Sequence, residues 1–123
     1  LVVPVIREAG KLSALQLTAE INRLSELARQ NKLSIEDNSG GTFTITTLGA
    51  YEVDMFTPII NPPQVAILGV GRIADRAGVL NGQLAPRKLL WLSLSFDHRV
   101  VDGAPAAAFL KEVKGRLEQP QAL

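Results

Sequence analysis

The stretch "FDHRVVDGA" (residues 96–104) joins an apolar run to a helical pattern and contains the only histidine of the 123-residue chain. The run before it, "RKLLWLSLSF" (87–96), has the composition of a strand. After it, Asp102 can cap a helix that begins near Ala104, with Pro105 in its first turn. That helix would bury four apolar side chains: Phe109, Leu110, Val113 and Leu117. The stretch therefore predicts a strand, a turn that carries His98, and a closing helix.

Residues 13–32 have the pattern of an amphipathic helix. Ser13, followed three residues later by Gln16, predicts a capping box at its start. Apolar residues then recur at helical spacing: Leu17, Ile21, Leu24 and Ala28. The segment "EDNSGG" (36–41) is polar and rich in glycine, so we expect the helical pattern to end before it.

Three further segments favour strands. "LVVPVI" (1–6) and "QVAILGVGRI" (64–73) are largely apolar, and "TFTITTL" (42–48) is rich in β-branched and aromatic residues. Residues 49–63 contain three prolines and are expected to be irregular. The order of strand, helix, several strands and helix predicts an α/β (α+β) fold, in which a mixed β-sheet is flanked by helices.

Bulk composition argues against several classes of function. Thirteen basic and twelve acidic residues give a net charge of +1, which disfavours a nucleic-acid or anionic-membrane partner. The chain has no cysteine, so it forms no disulfide and no thiolate metal site. No apolar stretch reaches the roughly 18 residues of a membrane span, and no export signal is evident. We expect a cytoplasmic location, or the mitochondrial matrix in a eukaryote.

The length of the chain fits one modest hydrophobic core. Its first residues, "LVVPVI", already have the pattern of a buried strand and include no initiator methionine. We therefore expect residues 1–123 to be a single partial domain of a longer protein.

The segment "GVGRIA" (69–74) matches the G-x-G-x-x-G/A pattern of dinucleotide-binding loops, in which a helix N-terminus receives the pyrophosphate. Gly78 and the turn signal Asn81-Gly82 interrupt any helix that would follow it. A strand whose glycines permit close backbone approach is the better explanation. Dinucleotide binding is kept as a remote alternative.

His98 is the only side chain here that can accept a proton near neutral pH without a large pKa shift. On this basis it is either a general base or a structural histidine. Asp102 is either a helix cap or part of the same site, and Asp97 is consistent with a solvated turn residue. The spacing of these residues leaves each pair of alternatives open, and no metal-ligand pattern accompanies them.

Four collinear segments resemble one known family. "DHRVVDGA" (97–104) is similar to the D-H-R-x-x-D/N-G signature of the dihydrolipoamide acyltransferases, the E2 components of 2-oxo acid dehydrogenase complexes. "LVVPVIREA" (1–9), "GGTFTITTLG" (40–49) and "TPIINPPQVAILGVG" (57–71) resemble other blocks of that catalytic domain, in the same order. The resemblance covers essentially the whole chain and implies the C-terminal half of a chloramphenicol acetyltransferase-like domain.

The resemblance implies roles for three residues. His98 would be the general base that removes the thiol proton of coenzyme A or dihydrolipoamide, with its inner ring nitrogen bonded to its own backbone carbonyl. Thr46 matches a position, usually serine, whose hydroxyl donates to the tetrahedral oxyanion. Asp102 matches an aspartate that organises the site and pairs with an arginine outside this chain.

The resemblance also implies partners. Coenzyme A is a substrate, and lipoate is carried on a domain that is absent from this chain. The family forms homotrimers that build cubic or dodecahedral cores, so His98 and Thr46 would meet across a subunit interface. E1 and E3 components would bind through missing subunit-binding domains, and "RLEQPQAL" (116–123) could contribute core contacts.

Three points stay open at this level. Branched-chain and pyruvate-type acyl groups are favoured, although the motifs do not distinguish acyl groups. Four basic residues either bind coenzyme A phosphates or are solvated charges of a hairpin: Arg72, Arg76, Arg87 and Lys88. The alternative to an enzyme is a catalytically incomplete fragment that serves as a structural core or oligomerisation module.

Overall fold

The computed structural model describes residues 1–119 and divides the chain into two units, Leu1–Thr42 and Phe43–Leu123. The first unit contains one long helix, α1 (Ala14–Arg29), and short 3-10 turns at Ala9–Lys11 and Glu36–Asn38. The second contains five strands, a 3-10 turn at Gly49–Tyr51 and helix α2 (Gly103–Glu118). Neither helix is long and apolar enough to cross a membrane, within the residues that the structure describes.

Helix α1 begins where the sequence predicts. The Ser13 Oγ accepts from the Gln16 backbone N–H at 3.3 Å, and the Ser13 N–H donates to Gln16 Oε1 at 2.8 Å. Both bonds of the capping box are present, which confirms the prediction. The helix ends at Arg29, three residues earlier than expected, and Asn31 beyond it adopts a positive φ of 53°.

Residues 1–6 were expected to form a strand and do not. Within the first unit, the Val5 N–H donates to the Asp37 carbonyl at 2.7 Å, but no ladder of such bonds continues along the segment. The apolar composition of this segment is not enough to make a strand without a partner strand beside it. Of the apolar positions on α1, Leu24 is buried, whereas Ile21 is 52% exposed.

The second unit is built on a three-stranded mixed sheet. Strand β1 (Thr44–Thr47) runs parallel to β2 (Ala66–Val70), and β5 (Leu92–Phe96) runs antiparallel to β2 on its other side. Ile67 and Leu68 of the central strand are its most buried apolar side chains. Helix α2 lies against β5. The predicted mixed β-sheet is confirmed, with α2 packed on it.

A separate two-stranded hairpin links β2 to β5. Strands β3 (Ala74–Leu80) and β4 (Gln83–Leu89) pair antiparallel around Asn81 and Gly82, whose φ angles of 51° and 80° make the expected tight turn. Two expectations are corrected here. Residues 74–80 form a strand that was not predicted, and the single strand expected over 87–96 is divided between β4 and β5, which belong to different sheets.

The hairpin also excludes the dinucleotide-binding alternative. After the glycines of "GVGRIA" the chain continues as strand β3, so no helix N-terminus is available to bind a pyrophosphate. The glycines instead allow the chain around Asp54 and Phe56 to lie close against β2 and the residue that follows it. A Cβ at Gly69 would meet the Phe56 ring at 3.2 Å, and one at Gly71 would overlap the Asp54 carbonyl group.

Helix α2 begins at the expected place. Gly103 is its first residue, Asp102 occupies the N-cap position, and Ala106 is its buried contact. Phe109 and Leu117, which were expected to be buried, are 45% and 54% exposed. The Phe109 ring lies 5.7 Å from the Phe43 ring, so α2 covers the chain just before β1. Residues 120–123, which include part of the predicted core-contact segment, lie outside the described residues.

Candidate active site

The turn between β5 and α2 is organised by the backbone of Asp97. Its N–H donates to the Val65 carbonyl at 2.8 Å, which ties the end of β5 to the chain that enters β2. Its carbonyl accepts the N–H groups of Val100 and Val101, each at 3.0 Å. These bonds close the chain around residues 98 and 99, so His98 projects from a turn that is fixed at both ends.

The Asp97 side chain reinforces the same turn. Its carboxylate accepts the Arg99 backbone N–H at 2.9 Å and the Arg99 Nη2 at 2.6 Å. The hydrogen bonds from the Arg99 side chain and backbone lower the pKa of Asp97 to about 2. The side chain is only 21% exposed. Asp97 is therefore a structural anchor of the turn and not merely a solvated residue.

The His98 imidazole is open to solvent and faces Asp102. The two side chains are 71% and 84% exposed, and His98 Nδ1 lies 3.8 Å from Asp102 Oδ1, beyond hydrogen-bond distance. The Phe96 ring lies 5.7 Å from the imidazole. No hydrogen bond joins the ring to the residue's own carbonyl among residues 1–119, which differs from what the resemblance implied. The outward Nε2 makes no hydrogen bond with residues 1–119.

Asp102 holds the N-cap position of α2 without capping it through its side chain. Its φ of −84° and ψ of 162° are those of a cap residue, but its carboxylate accepts no N–H from the first turn of the helix. The carboxylate is therefore left beside His98. The prediction that Asp102 caps α2 is confirmed for its backbone position, but its side chain makes no capping bond.

Thr46 has the one unoccupied hydroxyl of strand β1 in the described part of the chain. Thr44 Oγ1 donates to Gln64 Oε1 at 2.6 Å, and Thr47 Oγ1 donates to the Val70 carbonyl at 3.0 Å. Thr46 is half-buried and makes no such bond. Its hydroxyl is therefore available to a ligand, whereas those of its neighbours are used to hold the strand.

One copy of the chain does not bring Thr46 and His98 together. Thr46 is level with Gly69 of β2 and, through it, with Ser93 of β5, whereas His98 lies beyond the end of β5. The two residues are separated by about 10 Å across two strand spacings, and the end of β5 already lies about 10 Å from Ser93 along the sheet. They cannot act on the same atom within one copy.

Three of the four basic residues considered for phosphate binding are engaged within the chain. Arg72 Nε and Arg76 Nη2 each lie 2.5 Å from Asp54 Oδ1, and Lys88 Nζ lies 3.1 Å from Asp75 Oδ1. The hydrogen bond from Arg72, and then the close guanidinium of Arg76, lower the pKa of Asp54. These pairs favour the structural explanation for the hairpin charges. Among residues 1–119, no cluster of acidic or histidine side chains could hold a metal ion.

Comparison with curated proteins finds relatives with three different acyl groups in their names. The succinyltransferase component of the 2-oxoglutarate dehydrogenase complex of Bartonella vinsonii subsp. berkhoffii is 51% identical over 123 residues. The acetyltransferase component of the acetoin cleaving system of Bacillus subtilis and the lipoamide acyltransferase component of the branched-chain complex of Pseudomonas putida are each 50% identical. The match covers all of this chain but only 30%, 31% and 29% of these relatives.

Comparison with solved structures gives equally close matches. The chain superposes with a TM-score of 0.92 and 46% identity on the Azotobacter vinelandii dihydrolipoamide acetyltransferase, covering 98% of this chain and 50% of that one. A probable dihydrolipoamide acetyltransferase from Listeria monocytogenes also gives 0.92, at 40% identity, with 94% and 50% coverage. The chain thus spans about a third of the curated relatives and half of the solved chains.

The family model for the 2-oxoacid dehydrogenases acyltransferase catalytic domain matches residues 1–123. Relatives at 45–47% identity include components named as mitochondrial, from Saccharomyces cerevisiae and Bos taurus. Because the family model spans the whole chain and both sets of relatives agree with it, this chain belongs to the 2-oxoacid dehydrogenase acyltransferase family.

Proposed function

We propose that the chain is the C-terminal half of the catalytic domain of a dihydrolipoamide acyltransferase. The reaction moves an acyl group between dihydrolipoamide and coenzyme A within a 2-oxo acid dehydrogenase complex. The observation that carries this proposal is the exposed His98, which is fixed in its turn with a free outer nitrogen and a carboxylate 3.8 Å from its inner one. The family to which the chain belongs supports the same chemistry.

The spacing of three residues supports their assignment. Work on the Azotobacter vinelandii enzyme addressed the role of a serine, a histidine and an asparagine in its catalytic mechanism, where the serine precedes the histidine by 52 positions and the asparagine follows it by four. Thr46, His98 and Asp102 have the same two separations in this chain. Threonine keeps the hydroxyl of serine, and aspartate keeps the size of asparagine.

The proposed reaction needs one base and one hydrogen-bond donor from the protein. His98 Nε2 takes the proton of the attacking thiol, and the thiolate adds to the thioester carbonyl carbon. The Thr46 hydroxyl donates to the resulting oxyanion. The intermediate collapses by breaking the original carbon–sulfur bond, and His98 returns the proton to the departing thiolate. The Asp102 carboxylate lies 3.8 Å from Nδ1, beside the ring that carries the proton between these steps.

The separation of His98 from Thr46 supports a site shared by two copies. Since two strand spacings separate the two residues across the sheet of one copy and His98 also lies beyond the end of β5, a neighbouring copy would supply the hydroxyl. A homotrimer that builds a larger core fits this requirement. Among the solved neighbours is the cubic core of a pyruvate dehydrogenase multienzyme complex, at a TM-score of 0.92.

The remaining partners follow from the proposed reaction. Coenzyme A and acyl-dihydrolipoamide are the substrates, and lipoate would be carried on a domain outside this chain. E1 and E3 components would bind through further domains, in the cytoplasm or the mitochondrial matrix. The chain is almost equally similar to succinyl-, acetyl- and branched-chain-type relatives, at 51%, 50% and 50% identity. These values do not identify the acyl group, so a panel of acyl donors is needed.

A structural core module is the second candidate, because this chain matches only half of each solved acetyltransferase chain. Acyl transfer by the longest native chain that contains this segment separates the candidates. We expect transfer from one acyl-coenzyme A donor to dihydrolipoamide, and a loss of about 10²- to 10⁴-fold in His98→Ala with unchanged assembly size. Full activity in His98→Ala would overturn the mechanism, and no transfer from any donor would favour the core module.

A further inference from the structure

The chain after the Gly49–Tyr51 turn is fastened to the end of strand β2 by one acidic residue. The Val53 carbonyl accepts the Arg72 N–H at 2.9 Å, and Asp54 Oδ1 accepts the Arg72 Nε at 2.5 Å. The Asp54 carbonyl group is pressed so closely against Gly71 that a Cβ there would overlap it. Both the main chain and the side chain of Asp54 therefore fix this segment to β2.

The same segment then forms a wall beside Thr46. Thr46 pairs with Gly69, and a Cβ at Gly69 would meet the Phe56 ring and the Pro58 ring, each at 3.2 Å. Paired residues on neighbouring strands project to the same face of a sheet. Phe56 and Pro58 therefore occupy the space next to the Thr46 side chain, two and four residues after Asp54.

Threonine is sensitive to such a wall. Its branched Cβ restricts χ1, and its methyl and hydroxyl groups compete for the same space. Since the Thr46 hydroxyl has no partner in the described part of the chain, no hydrogen bond within the protein fixes its direction. Packing from the wall is left to decide whether the hydroxyl or the methyl group faces a ligand.

Arg76 is a second cation beside Asp54 and strengthens the attachment of this segment to the sheet. Arg76 Nη2 lies 2.5 Å from the same Asp54 oxygen, as an ion pair without hydrogen-bond geometry. The side chains of Asp54, Arg72 and Arg76 are each only 32–39% exposed. By contrast, Lys88 and Asp75 form a pair on the same hairpin whose side chains are 73% and 69% exposed. The first group is half-buried and the second is exposed.

We propose that Asp54 is a positioning residue for Thr46: held by Arg72 and Arg76, it fixes the Phe56–Pro58 wall that turns the Thr46 hydroxyl toward the oxyanion. This inference rests on the proposed acyl transfer and deepens it. Asp54 touches no reacting atom. Its contribution passes through the Thr46 hydroxyl, so it vanishes when that hydroxyl is removed.

A double-mutant cycle in the longest native chain tests this inference. Asp54→Asn keeps the size of the side chain and removes its charge, Thr46→Val removes the hydroxyl, and the third variant combines the two. We expect Thr46→Val to lower kcat by about 10²- to 10³-fold. Asp54→Asn is expected to lower kcat by roughly tenfold with KM changed less than twofold, because a misaimed donor costs transition-state stabilisation. In the Thr46→Val background, Asp54→Asn should then lower kcat by less than about twofold.

Asp75→Asn is the matched control, because it breaks an exposed ion pair on the same hairpin and should leave kcat unchanged. The inference fails if Asp54→Asn lowers kcat by the same factor with and without the Thr46 hydroxyl, or if it does not lower kcat at all. If the parent chain transfers no acyl group, the proposed function itself fails and this inference fails with it. An active parent with additive effects overturns only the role of Asp54.

Arg76→Gln keeps the test decisive if Asp54→Asn does not assemble. It removes the ion pair but keeps the Arg72–Asp54 hydrogen bond, so assembly size should be retained. We expect a fall in kcat of about threefold, again lost in the Thr46→Val background. An equal fall in both backgrounds would contradict the inference.

Discussion

The His98 turn and strand β1 present their polar side chains in different ways. His98 is exposed, and the bonds that fix its turn come mainly from Asp97 and its near neighbours Arg99, Val100 and Val101. Thr46 is half-buried, and its surroundings come from β2 and from the segment that follows Asp54. Bonds within the turn, from both the backbone and the Asp97 side chain, are enough to present the exposed imidazole, whereas aiming the Thr46 hydroxyl requires packing from residues distant in sequence.

The largest effect predicted for the turn is that of Asp97→Asn. The amide keeps the shape of the side chain but loses the charge that binds the Arg99 guanidinium. We expect kcat to fall by roughly 10- to 100-fold because the imidazole is no longer held in place. Steady-state kinetics of the full chain measure this, and Arg99→Gln, which keeps the bond to the backbone N–H, should have a smaller effect. Full activity in Asp97→Asn would show that backbone bonds alone hold the turn.

Acid stability provides a second readout of the same substitution. The pKa of Asp97 is lowered to about 2 in the folded state, against about 3.9 for a free aspartate. The ionised carboxylate therefore stabilises the fold above pH 4, and that stabilisation is lost as the pH falls from 4 towards 2. Asp97→Asn should have a shallower fall in Tm over this range than the parent. An identical slope would mean that the charge of Asp97 contributes nothing to the turn.

The smallest predicted effect concerns Asp102 and compares two helix starts. The Ser13 side chain makes its capping bond, whereas that of Asp102 makes none. We expect Ser13→Ala to lower Tm by roughly 4 °C and Asp102→Ala to change it by less than about 2 °C. Calorimetry of both variants checks this. Equal destabilisation would make Asp102 a true cap, whereas a stable but less active Asp102→Ala would assign it to the site.

The parts of the fold that depend on neighbours in sequence could be predicted from it. The capping box of α1, the Asn81-Gly82 turn and the start of α2 are each specified within a few residues. The division of residues 87–96 could not be predicted, because the apolar run "LLWL" (89–92) continues across the break. The break arises because Leu89 pairs with Ala74 of β3, whereas Leu92 pairs with Val70 of β2. Only the folded chain brings these residues together.

The candidate site divides in the same way. A motif of eight residues carries His98 and Asp102, so the resemblance was enough to select them. Asp54 has no such motif and precedes the two arginines that hold it by 18 and 22 positions. Its role depends on the glycines at 69 and 71, whose missing side chains admit the wall. The two glycines within an apolar segment were the only sequence signal for this wall. They predicted that some part of the chain lies close to the strand, but not that the part is the segment after Asp54.

In the proposed site, His98 of one copy acts with Thr46 of another. Co-assembly of His98→Ala and Thr46→Val chains in equal amounts tests it most directly, with each variant assembled alone as the control. Random mixing would pair an intact His98 with an intact Thr46 at about one quarter of the sites of a cyclic assembly, so activity should recover to about a quarter of the parent value. Activity equal to the mean of the two separate variants would contradict the shared site.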